Sequence, residues 1–152
     1  MLLVFFLGWV FAVKAFLPSH LEQRFLPQAG QGAITSYAKP DWSVYSDSLL
    51  ETAAKNGRPV ILDFKAEWCL ACKELEMFTF SDPRVLEKGK PILWLSFDAT
   101  KDSPELAELR KRYNIPGLPA VLFFDATGKW REELSLFGFE KADDFLARMG
   151  KM

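Results

Sequence analysis

Hydrophobic and polar positions alternate differently along three stretches of the chain. Residues 2–13, LLVFFLGWVFAV, carry no charge, and the apolar run resumes after Lys14 with Ala15, Phe16 and Leu17 before Pro18. At about 1.5 Å per residue, a helix of this run reaches roughly 25 Å, at the lower limit for a bilayer core of about 30 Å, and Lys14 is able to snorkel to the interface. Residues 1–17 are therefore expected to form an N-terminal hydrophobic helix, a transmembrane anchor or signal segment. A retained anchor fits better than a cleaved signal, because a positive n-region and a small-x-small cleavage site are missing; a buried core helix is the third alternative. No Lys or Arg precedes the run to orient it by the positive-inside rule. From Pro18 to Pro40 the chain turns polar and carries Pro27, Gly30 and Gly32, so residues 18–40 are expected to be a flexible linker.

Residues 41–152 alternate between strand-like and helix-like runs. Trp42 to Tyr45 suits a short strand, and Asp47 to Asn56 a helix, with Ser48 and Glu51 as a capping box and Gly57 as its stop. Pro59 opens PVILDF, a β-branched apolar run fit for a buried strand. WCLACKELEMFTF is expected to be helical from Cys69 or Leu70, until Ser81-Asp82-Pro83 interrupts or restarts it. Ile92 to Phe97 is the next strand. Ser103 as N-cap and Pro104 at the first helical position begin a helix to about Tyr113. After the loop NIPGLP come the strand AVLFF, a turn at Ala126-Thr127-Gly128, a strand through Glu133 to Phe137, and a helix from Lys141 to Met149. The order β-α-β-α-β-α-β-β-α predicts an α/β domain with a central mixed sheet flanked by helices on both faces.

Composition narrows the function classes. With 152 residues, 49% apolar and 26% charged, the chain suits one globular domain plus an appendage. A net charge of −1 with no basic stripe excludes nucleic acid as an expected partner. The two cysteines, Cys69 and Cys72, close too short a loop to staple a fold. A zinc site wants about four ligands, and the single histidine, His20, lies far away in the linker, where it reads as solvated. No metal site and no cofactor are expected.

The chemistry concentrates in Trp68-Cys69-Leu70-Ala71-Cys72-Lys73, between a buried strand and a helix. A cysteine at a helix N-terminus has its thiolate favoured by unpaired backbone N–H groups and the positive end of the helix dipole, which makes Cys69 the attacking sulfur. Cys72 falls three residues on, on the same helix face, and is placed to resolve a mixed disulfide at Cys69. Inert buried cysteines and half a metal site are the bland alternatives. Asp63 interrupts an apolar strand among Ile61, Leu62 and Phe64; a carboxyl buried there has a raised pKa and is suited to exchange a proton with Cys72. Glu76, one turn beyond Cys72, is expected to add negative charge near the sulfurs. Both carboxylates oppose thiolate formation at Cys69, which favours a reductant over a strong oxidant. The bland readings are an Asp63 in water at a strand edge and a solvated Glu76. Gly117-Leu118-Pro119 precedes a strand, the setting of cis X-Pro turns, where the Leu118 backbone would pair with an extended substrate. Trp68, Leu70, Leu118 and Pro119 are the expected substrate-binding residues.

DFKAEWCLACK and GLPAVLFF resemble the active-site segment and the cis-proline loop of the thioredoxin superfamily, over roughly residues 42–150. WCLACKELE, TFSDPRV, GLPAVLFFD and Gly138-Phe139 are most similar to the C-terminal periplasmic domain of the DsbD thiol:disulfide interchange proteins. The resemblance implies a thioredoxin fold and a protein-disulfide reductase, with Cys69 as nucleophile, Cys72 as resolving cysteine, Asp63 and Glu76 as tuning groups and Pro119 as the cis-proline. It implies a bacterial inner-membrane protein whose domain faces the periplasm, or a periplasmic one if the leader is cleaved. A membrane electron-donor protein would supply electrons, and extracytoplasmic disulfide-bearing proteins would receive them. Relatives carry a multi-helix membrane domain with further cysteines, so the donor is expected to be a separate protein, unless the sequence begins within the last transmembrane helix of a longer one. Lys65 stands where related domains often carry an aromatic, and Ala120 where Thr is common. A disulfide oxidase or isomerase, a soft-metal (copper) carrier and a membrane-held docking module are the competing functions.

Overall fold

The structure, a computed structural model, describes residues 38–152. The anticipated helix over 1–17 and nearly all of the 18–40 linker lie outside the described residues. Within them, strands β1 (Trp42–Val44), β2 (Val60–Lys65), β3 (Leu93–Asp98), β4 (Ala120–Phe124) and β5 (Leu136–Phe137) form one sheet in the order β1-β3-β2-β4-β5. β3 runs parallel to both β1 and β2, while β4 is antiparallel to β2 and β5. The expected mixed sheet is thus present.

Strict alternation sorts the central strands into two cores, since successive side chains leave a strand on opposite faces. Val60, Leu62 and Phe64 of β2 join Leu122 and Phe124 of β4 against Ala53 of helix α1 (Asp47–Lys55) and Leu106 and Leu109 of α4 (Pro104–Arg112). Ile61, Val121 and Phe123 point the other way. They pack on Leu75 of α2 (Leu70–Leu75), Val85 of α3 (Pro83–Lys88) and Phe145 and Met149 of α5 (Ala142–Met149). Trp94, Phe80 and Phe145 form edge and stacked contacts within that second core.

The helix starts depart from expectation in one place. Ser46, not Ser48, caps α1: its Oγ accepts the Leu49 N–H at 3.3 Å, and Ser48 already lies in the first turn. Gly57 does end the helix, at φ +63°, with the Arg58 N–H returning to the Ala53 carbonyl, the left-handed stop that glycine adopts without a Cβ clash. Ser103 and Pro104 begin α4 as the sequence suggests.

Two segments escape a reading based on periodicity. After Leu75 the helix widens into a π-helical turn, Glu76–Phe80, and a separate α3 begins behind the Asp82 cap. The wider turn lets adjacent Thr79 and Phe80 both be buried, with the Thr79 hydroxyl donating to the Glu140 carbonyl. The strand expected through Glu133 to Phe137 is shorter. Glu132–Leu134 is a 3-10 turn, closed by Leu134 N–H to the Arg131 carbonyl, and only Leu136–Phe137 pairs with β4. Leu134 and Leu136, on either side of the end of that turn, both enter the second core.

Candidate active site

The candidate site forms at the carboxyl ends of β2 and β3, where parallel strands leave room between the loops that follow them. The β2 loop is held by the β3 loop: the Glu67 N–H donates to Thr100 Oγ1 at 3.0 Å, and Trp68 Nε1–H to the Thr100 carbonyl at 3.1 Å. Asp98 fixes Thr100 in turn by accepting its N–H at 2.9 Å. The Cys69 N–H closes the turn on the Ala66 carbonyl. This clamp delivers Cys69 as the N-cap of α2, in extended conformation, with its Sγ accepting the Cys72 N–H at 3.2 Å.

Cys69 and Cys72 are joined in a disulfide, with their Cα atoms 5.3 Å apart. Both residues are buried and pack with Ala66 and the Leu118 side chain. The Leu118–Pro119 peptide is cis. The Pro119 carbonyl accepts the Gly138 N–H at 3.0 Å, which ties this loop to the end of β5. Around the disulfide the surface is apolar: Trp68 is 65% and Leu70 71% exposed. The fold therefore gathers Trp68, Cys69, Leu70, Cys72 and Leu118, which the sequence separates by up to half the domain.

Asp63 belongs to β2, the strand that leads into the loop carrying Cys69. It sits in the middle of the sheet, opposite Ser96 on one side and Val121 on the other. It shares its strand face with Ile61 and Lys65, the face that α2 and the π-helical turn cover. The residue is 2% exposed, and its Oδ1 has no hydrogen-bond partner among the described residues. Desolvation pushes its carboxyl up to about 7; the nearby Lys65 charge opposes the rise and the Glu76 charge adds to it. A carboxyl poised there holds or takes a proton near neutral pH.

Glu76, expected to add negative charge near the sulfurs, is ion-paired. Lys65 Nζ donates to its Oε1 at 2.7 Å, and Lys39 Nζ is 3.9 Å from its Oε2. Both Glu76 and Lys65 line a cavity of about 250 Å³ together with Ala66, Cys72, Lys73 and Asp98. Lys65 is the residue that sequence reasoning left without a role. Its signal was a charged residue two positions after a buried Asp on the same strand face, but its partner is eleven residues away. Among the described residues no group of three or more His, Cys, Asp or Glu side chains is placed to hold a metal ion.

A model of the thioredoxin-like family matches residues 41–126. The chain is similar to the thiol:disulfide interchange protein DsbD of Haemophilus ducreyi, 41% identical over 99 residues that make up 65% of this chain and 17% of that protein. Its likeness to DsbD of Ralstonia nicotianae is 42% over 103 residues, 68% of this chain and again 17% of the relative. The chain thus spans about a sixth of the length of these relatives. Among solved structures, the C-terminal domain of Neisseria meningitidis DsbD in its oxidised form superposes with a TM-score of 0.63 at 32% identity, covering 72% of this chain and 98% of that one. A thioredoxin from Thermus thermophilus gives 0.62 at 31%, with 75% and 87% covered.

Proposed function

This chain belongs to the thioredoxin-like family, and from that premise we propose that it is a protein-disulfide reductase that acts outside the cytoplasm through Cys69 and Cys72. The observation that carries this reading is the Cys69–Cys72 disulfide at the start of α2. In the reduced protein the Cys69 thiolate attacks one sulfur of a partner's disulfide. A bond forms from Cys69 Sγ to that sulfur, the partner's S–S bond breaks, and its other sulfur leaves as a thiolate. Cys72 then loses its proton to the Asp63 carboxylate and attacks Cys69 Sγ. The Cys69–Cys72 bond forms, the mixed disulfide breaks, and the partner departs with both sulfurs reduced, having gained two electrons.

The residues around the disulfide divide this work. The Cys72 N–H that now reaches Cys69 Sγ favours the Cys69 thiolate, as do the other unpaired N–H groups of the first helical turn. Trp68 and Leu70 offer exposed apolar surface to the partner's chain, and Leu118, which packs on the cysteines, contributes to substrate binding with the cis Pro119 that follows it. Glu76 acts through its ion pair with Lys65. Regeneration runs the two exchange steps in reverse against a dithiol of a membrane electron-donor protein, and extracytoplasmic disulfide-bearing proteins are the acceptors. The apolar run over residues 1–17 serves as the anchor to a bacterial inner membrane and residues 18–40 as its tether, with the exchange domain, 41–152, facing the periplasm. No helix among the described residues is long and apolar enough to cross a membrane.

Direction of transfer is tested by the equilibrium reduction potential of the Cys69–Cys72 couple in the full chain, titrated against dithiothreitol and glutathione series. A value near that of thioredoxin, about −270 mV, is expected; one near about −120 mV reverses the direction and makes the protein an oxidase.

A further inference from the structure

Cys72, unlike Cys69, lines a cavity walled by charges, and two of them, Lys65 and Glu76, are paired with each other. Glu76 enters from the π-helical turn and would by itself set a negative charge beside the resolving sulfur. Lys65, at the end of β2, reaches over the same face that buries Asp63 and binds the Glu76 carboxylate at 2.7 Å. Lys73 from α2 and Asp98 from the end of β3 line the same cavity, as does Glu67 of the β2 loop. Lys39 approaches Glu76 from outside, at 3.9 Å. Lys65 differs from Lys39 and Lys73 in two respects: it is held on the central strand, two residues from Asp63, and its ammonium also lies 5.7 Å from the centroid of the Trp42 ring. Both contacts fix the charge in place, where a free lysine would sample solvent.

We propose that Lys65 is a positioning residue for the second step of exchange: its ammonium holds and neutralises Glu76 at the wall of the Cys72 cavity, so that proton transfer from Cys72 to Asp63 takes place without an uncompensated carboxylate facing it. This rests on the reductase reading and deepens it. The charge bookkeeping is simple. With Lys65 and Glu76 both present, the pair adds no net charge. Without Lys65, Glu76 keeps only the longer, more exposed Lys39 contact at 3.9 Å, and its negative charge makes the desolvated Asp63 carboxylate harder to form. The two effects of Lys65, cancelling Glu76 and acting directly on Asp63, have the same sign.

The test follows single-turnover oxidation of the reduced full chain by glutathione disulfide from about pH 5 to about pH 9, reading the phase that releases the second glutathione. In Lys65→Met the pH midpoint of that phase is expected to rise by about one unit, which slows release at pH 7 about fivefold. Lys65→Arg, which keeps the charge, restores the wild-type midpoint. The double variant Lys65→Met/Glu76→Gln, again without net charge, returns close to it. A structural role for Lys65 would change stability without moving the midpoint. An unmoved midpoint in Lys65→Met overturns the proposal, and so does a shift that persists undiminished in the double variant. If the wild-type chain releases no glutathione at all, the reductase reading falls and this proposal with it.

Discussion

Replacing Asp63 by Asn separates the cost of a buried charge from every other property of the site. Burial lifts the Asp63 carboxyl from its ordinary 3.8 to about 7. At about 1.36 kcal/mol per pH unit, this corresponds to a penalty on the order of 4 kcal/mol for the ionised native state. A folded-state pKa above the unfolded one means that the native protein binds the proton more tightly. Stability from this group is therefore fully present below about pH 4, falls as pH rises from there through about 7, and is absent above. Asn cannot ionise, so the variant escapes the decline. Its amide enters a place where Oδ1 finds no partner, which costs about 1–3 kcal/mol at every pH and cancels when one pH is compared with another. Urea unfolding of both oxidised proteins, followed by far-UV circular dichroism, reads the difference. Between about pH 4 and about pH 8 the stability of Asp63→Asn relative to wild type is expected to rise by about 4 kcal/mol. With urea slopes of about 1–3 kcal/mol/M, that moves the separation of the midpoints by about 1.3–4 M. A separation that stays constant across this range would refute the argument that burial holds the carboxyl protonated.

Two further outcomes follow from particular contacts. In Gly89→Ala the new Cβ would stand 2.6 Å from Trp94 Cζ2, and the indole is already locked by its bond to the Gly89 carbonyl and by stacking on Phe145; a loss of about 1–3 kcal/mol is expected, read as a lower urea midpoint at unchanged slope. Trp68→Ala removes the most exposed indole beside the disulfide while leaving both sulfurs in place; KM for a protein disulfide should rise several-fold with the potential of the Cys69–Cys72 couple unaltered, and a shifted potential instead would assign Trp68 to the sulfur chemistry.

Much of the second half of the fold was legible because its signals are local. Ser103-Pro104 contains both the cap and the first helical residue of α4, and AVLFF is short, apolar and bounded by proline. The π-helical turn was not legible in the same way. Thr79 and Phe80 are both buried there, Thr79 with its hydroxyl on the Glu140 carbonyl and Phe80 in the second core, contacts that come from segments far along the chain. Glu132–Leu134 is likewise a turn where a strand was expected, closed by the Leu134 N–H to the Arg131 carbonyl and flanked by the Arg131–Glu133 ion pair. Ser48 was read as the cap because Glu51 three residues on completes a capping box with it, whereas in the fold Ser46, just before Asp47, takes that role.

By itself the sequence determined which sulfurs can react and in what local setting: a buried strand, a turn and a helix start place Cys69 at unpaired N–H groups and Cys72 on the same face, because those placements depend on neighbours within a few residues. It also marked Asp63 as an ionisable group interrupting an apolar strand. Only the tertiary structure decided what surrounds them. Leu118 reaches the cysteines because β4 pairs antiparallel with β2, and Lys65 neutralises Glu76 because α2 and the turn after it lie across the face of β2 that carries Asp63. The charge at a reactive sulfur is a sum over everything within several ångströms, whatever its distance along the chain, and that sum exists only once the sheet and its covering helices have come together.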